Sequence, residues 1–103
     1  MLVTAWSNGN STHNGAGYGL RVSARHRDSY FKRSWSKVIL ELQGQSEAIE
    51  VTISPGFWTK CPELRGMALG KWLIQNGKAP WPSGHPPTAR MESKGGNVFS
   101  VSL

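Results

Sequence analysis

The feature that most limits how this chain can fold is a pair of alternating segments joined by a short link. Lys37-Val-Ile-Leu-Glu-Leu-Gln43 puts Val38, Leu40 and Leu42 on one side, Glu47-Ala-Ile-Glu-Val-Thr-Ile-Ser54 does the same with Ile49, Val51 and Ile53, and Gly44-Gln45-Ser46 connects them. A period of two belongs to a pleated strand with one face buried. A short glycine-containing link between two such runs predicts an antiparallel hairpin. Its apolar face must then be covered by the rest of the chain, because a sheet with one greasy side is stable only against a second layer.

The remaining segments can supply that cover. Thr88-Ala-Arg-Met-Glu-Ser93, a turn at Lys94-Gly-Gly-Asn97 and Val98-Phe-Ser-Val-Ser-Leu103 form a second hairpin pattern, with Phe99, Val101 and Leu103 on one face. Residues 2–6 are β-prone, and Tyr18–Ser23 alternates Leu20 and Val22 with Arg21. Ser23 is placed to cap a short helix over Ala24–Phe31. Pro55-Gly56 ends the second strand of the central hairpin. A longer helix is expected over 62–76, with Pro62 in its first turn, Glu63 facing the positive end of its dipole and Gly77 as its stop. Leu64, Ala68, Leu69, Trp72 and Leu73 would give that helix a broad core-facing surface, and the spacing of Gly66 and Gly70 marks close packing against another element. Lys78–Pro87 holds four prolines and cannot be regular, so Trp81 within it is read as an anchor on the core.

These patterns predict one α+β domain over residues 1–103, a small, mainly antiparallel sheet or partly open barrel of five or six short strands with two helices. The Gly- and Asn-rich stretch 7–17 has almost nothing apolar to bury and is expected to be a flexible loop. Five Trp and three Phe concentrate the burial into a few large side chains.

Charge supplies the functional signal. Twelve Lys and Arg against six Asp and Glu leave the chain at +6, a surface that attracts polyanions. Arg21, Arg25, Arg27, Lys32, Arg33 and Lys37 bring half of the positive residues into one segment, with Asp28 its only acid. Tyr30, Phe31 and Trp35 interleave with them, an arrangement that serves either base stacking or the core, with burial the weightier reading. The six basic residues are the candidate phosphate contacts to DNA or RNA. The alternative is a non-enzymatic accessory subunit that meets a protein partner through the aromatic and proline segment around Trp58 and Trp81.

Other chemistries find less support. Cys61 is the only cysteine, which rules out an internal disulfide and paired-cysteine zinc sites, and a thiolate role would need the helix start expected at Pro62. His13, His26 and His85 lack metal-ligand spacing, and the six carboxylates form no acid/base signature. Gly15-Ala-Gly17-Tyr-Gly19 is not a dinucleotide fingerprint and precedes a strand, although its amides could form an anion nest. No catalytic residue, metal or cofactor is therefore expected. With no apolar run of about 18 residues and no secretion signal at the start, a cytoplasmic location without membrane contact is the expectation.

Two resemblances add to this reading. Ser54-Pro-Gly-Phe-Trp-Thr-Lys-Cys-Pro-Glu-Leu-Arg65, with Gly70-Lys-Trp-Leu73 and Ala79-Pro-Trp-Pro82, resembles a pattern in small bacterial proteins of unassigned function. It implies a discrete bacterial domain and carries over no functional residue. The order of a basic segment, a hairpin, a Pro-Glu-Leu-Arg helix and a final hairpin is similar to that of B3-like DNA-binding pseudobarrels. That likeness implies strands and two helices around a core, with basic loops entering a DNA groove.

Overall fold

The 37–54 pattern folds as its alternation requires. The computed structural model, which describes residues 1–103, has β3 (Lys37–Leu42) and β4 (Ile49–Thr52) as an antiparallel hairpin with Val38 opposite Val51 and Leu40 opposite Ile49. Val38, Leu40, Leu42, Val51 and Ile53 are buried, and Ile49 is half-buried against them. The second hairpin forms as β6 (Thr88–Ser93) and β7 (Val98–Ser102), with Met91 opposite Val101. Phe99 and Val101 enter the core, whereas Leu103 lies beyond the strand end and is exposed.

The two hairpins meet through β3 and β7, which pair in parallel with Leu40 beside Phe99. A parallel pair cannot be closed by a tight turn. Here the whole chain between β4 and β6 serves as the crossover. β1 (Leu2–Ser7) continues the sheet beyond β6, and β2 (Tyr18–Arg21) and β5 (Glu63–Arg65) extend it further, all antiparallel. The order is β4-β3-β7-β6-β1-β2-β5, and the end strands β4 and β5 approach each other, so the sheet curls into a nearly closed barrel. It encloses a core of 21 residues. Phe31, Phe57 and Phe99 form its aromatic centre, with the Phe31 ring 5.1 Å from Phe57 and 5.0 Å from Phe99.

The fold is α+β, but with seven strands, one parallel pairing and three helices in place of the expected five or six mainly antiparallel strands and two helices. The additional strand and helix lie in residues 54–76. Pro55 does not merely end a strand; it opens α2 (Pro55–Thr59), which buries Phe57. The helix expected from Pro62 starts only at Met67, as α3 (Met67–Gln75), because residues 63–65 pair with β2 instead. A first turn of helix leaves its amides without partners, whereas the strand pairs them and covers the open edge of β2. Val22 N–H donates to the Pro62 carbonyl at 2.8 Å as part of the same seam. Gly66, in extended backbone, separates strand from helix.

α3 buries Leu69, Trp72 and Leu73, and the Trp72 indole N–H donates to the Gln43 carbonyl at 2.8 Å. Gly77 takes the left-handed conformation (φ 69°) that ends the helix. Gly70 is a close-approach position: a Cβ there would run into the backbone of Gly15, and one on Gly15 would run into the backbone of Met67 and Lys71. The 7–17 segment is thereby seated on α3. It is also tied internally by Asn8 N–H to Gly17 O and Thr12 N–H to Ala16 O, both 3.0 Å.

Candidate nucleic-acid interface

The basic segment is carried by α1 (Ala24–Tyr30) and the turn that leads to β3. Ser23 caps α1 by accepting from His26 N–H at 3.1 Å. None of the helix's own residues is fully buried, but His26 and Arg27 are half-buried on its inner side, and Phe31 at its C-cap enters the core. Its other residues are exposed.

The six sequence-predicted cations do not share one environment. Arg25, Lys32 and Arg33 are exposed and make no ion pair, and the Arg33 guanidinium lies 4.7 Å from the centre of the Trp58 ring. Arg27 is turned inward with its side chain only 14% exposed. It holds Asp28 at 3.0 Å, reaches the Phe57 and Trp58 carbonyls at 3.4 Å and approaches the Trp58 ring at 5.5 Å, fastening α1 to α2. Lys37 is paired with Glu50 at 2.6 Å across the hairpin. Arg21 lies on β2 and engages Glu63.

Of the interleaved aromatics, Phe31 is buried, Trp35 is half-buried edge-on to Phe31 and Phe99, and Tyr30 is exposed. Trp58 and Trp81 are half-buried against the core, Trp58 beneath its arginines and Trp81 5.6 Å from Tyr18.

A second site was not legible as such in the sequence. Glu63 is a buried charged residue, held by Arg21 from β2 (Nε to Oε2, 3.1 Å) and by Arg65 from its own strand (Nη2 to Oε1, 2.8 Å). Burial pushes its carboxyl up, but the hydrogen bonds and positive charges of Arg21 and Arg65 outweigh that and hold it below the usual carboxylate range. One carboxylate thus fixes two guanidiniums, and the cluster keeps a net positive charge. The Arg65 guanidinium also stacks over the Trp6 ring at 4.6 Å. Beside this stack opens a cavity of about 280 Å³ whose lining includes Trp6, Asn8, Gly17, Tyr18, Arg65 and Met67. The available signal was Glu63 and Arg65 at a spacing of two, which places both on one face of a strand.

The other candidates separate in space. Cys61 is exposed and precedes a strand, so no helix terminus activates it. No group of three His, Cys, Asp or Glu side chains comes together. The Gly15 and Ala16 amides are spent within the loop, on Thr12 O and Asn14 Oδ1, so the anion nest does not form from them. No helix is long and apolar enough to cross a membrane. Compared with family models, curated proteins and solved structures, the chain matches none.

Proposed function

We propose that this domain binds nucleic acid through the surface of α1 and the turn after it, with Arg25, Lys32 and Arg33 as the principal phosphate contacts and Arg21 as a fourth. The observation that carries the reading is the exposure of three cations on that segment without a carboxylate to neutralise them. An exposed cation without a partner is the residue type whose counterions a polyanion releases. Arg27 and Lys37, candidates by sequence, each have a carboxylate of their own and belong to the fold in this reading, whereas Arg21 shares Glu63 with Arg65 and leaves that cluster a net positive charge. The B3-like likeness points the same way through its basic segment and hairpins, although its Pro-Glu-Leu-Arg helix is a strand here.

Affinity should depend steeply on salt. Each phosphate contact on duplex DNA contributes about 0.9 to the slope of log K against log salt, so four contacts predict a slope of about −4. The test is a titration of duplex and single-stranded oligonucleotides at several salt concentrations, with wild type and the Arg25→Ala/Lys32→Ala double variant. The double variant should flatten the slope by about two. Absence of binding tighter than about 100 μM at low salt, where non-specific binders register, would leave the protein-partner reading in its place.

A further inference from the structure

The cavity beside Trp6 is not explained by phosphate contacts. We propose that it receives one unpaired, carbonyl-bearing base of a single strand, guanine, thymine or uracil, between the aromatic walls of Trp6 and Tyr18 and the donors of Arg65, Asn8 and Tyr18. The proposal rests on the nucleic-acid reading and adds the group that is read.

Size and wall chemistry set the ligand class. At about 280 Å³ the cavity lies just under the range of drug-sized pockets and suits one ring system. Trp6 and Tyr18 supply the aromatic surface on which bases stack without regard to sequence. Arg65 is planar, still 62% exposed, and already held by Glu63 and by the Trp6 ring, so little order is lost when it meets a ligand.

The polar groups set the edge that is read. The Asn8 Oδ1 atom accepts from Asn10 N–H at 2.8 Å, which leaves the Nδ2 amide to donate. Gly17 keeps that side chain in place: its φ is +84°, and a Cβ there would collide with Asn8 and Ser11. Tyr18 is only 7% exposed and forms part of the cavity lining. Arg65 can only donate. The Arg65 guanidinium and the Asn8 amide suit a ligand edge that accepts, as guanine offers through O6 and N7 and thymine or uracil through carbonyl oxygens, and the Tyr18 hydroxyl can donate to the same edge. Adenine, which has no carbonyl oxygen, is the poorest match. Duplex bases would first have to leave the stack, so single strands are favoured. Arg21, on the second oxygen of Glu63, links this site to the cations of α1 two residues beyond the Ser23 cap.

The test is a fluorescence titration at fixed salt with 12-residue single strands of dT, rU or dA and an abasic strand of the same length. The dT and rU strands should bind about tenfold more tightly than the abasic one, with dA between; their difference from each other separates DNA from RNA as the preferred source. Tyr18→Phe removes only the hydroxyl and should reduce the base-dependent advantage about threefold to tenfold. Asn8→Ala should act similarly, and Trp6→Ala should abolish the advantage. Should Trp6→Ala fail to fold, the two milder variants decide. Equal binding of the abasic strand, a preference for dA, or an advantage untouched by Tyr18→Phe and Asn8→Ala would overturn the proposal. If Arg25→Ala/Lys32→Ala still flattened the salt slope in that case, the phosphate reading would stand without the cavity. No binding by any strand would end both.

Discussion

Two tryptophans in this protein carry arginines on their rings, and the pairs do different work. At Trp58, Arg27 is bound to backbone carbonyls and to Asp28, little of it reaches solvent, and it joins two helices. At Trp6, Arg65 is backed by a buried carboxylate, stays largely exposed and borders a cavity. The ring distances are 5.5 Å for Arg27 on Trp58 and 4.6 Å for Arg65 on Trp6. What separates a clasp from a binding wall is where the guanidinium's remaining donors go. Carbonyls of a neighbouring helix consume them inside the fold, whereas one carboxylate shared between two arginines leaves donors to spare.

The comparison can be broken most severely on the Trp6 side. Gly70→Ala would drive a methyl group into the Gly15 backbone, prying the 7–17 segment from α3. A loss of about 3 kcal/mol, or a Tm lower by more than about 10 °C, is expected in thermal unfolding, with NMR shifts spreading from Trp6 and Tyr18 and sparing Trp58. Shifts centred on Trp58 would contradict the separation of the two sites.

Glu63→Gln tests the shared carboxylate, with an expected cost of about 1–2 kcal/mol at neutral pH after allowance for the exposure of both arginines. The sign of its pH dependence follows from the lowered carboxyl. A group whose folded pKa is depressed contributes fully above its unfolded value, about 4.3 for Glu, and loses that contribution as pH falls through the folded value. The wild type should therefore lose stability on acidification below about pH 4, and Glu63→Gln should lose less. Parallel curves in denaturant titrations across pH would show that the pair adds nothing.

The smallest effects sharpen the contrast on the Trp58 side. Arg27→Ala should cost about 1 kcal/mol by releasing the clasp while leaving the salt slope of oligonucleotide binding unchanged. Arg25→Ala should do the reverse, moving stability by no more than about 0.5 kcal/mol and the salt slope by about one. Identical behaviour of the two variants would erase the distinction drawn between a structural and a free arginine.

Much of the architecture was legible because it is written locally. The hairpins at 37–54 and 88–103, the Ser23 cap and the Gly77 stop each follow from a few adjacent residues and their hydrogen-bonding needs. The basic segment was visible for the same reason, as charge density along the chain. The 62–76 helix was misjudged because Pro62, Glu63 and Gly77 are good helix signals, and nothing local announces that the edge of β2 is waiting for residues 63–65. The Trp6 site stayed hidden because Trp6, Tyr18 and Arg65 are far apart in sequence and meet only once β1, β2 and β5 are side by side.

By itself, then, the sequence determined the α+β class, the position of most elements and the total charge, since periodicity, capping and composition are properties of neighbouring residues. Only the tertiary structure decided which cations are free. An arginine's availability depends on whether a carboxylate or carbonyl from a distant element comes within hydrogen-bond reach, and for Arg21 and Arg27 that partner arrives from pairing and packing that chain order does not reveal.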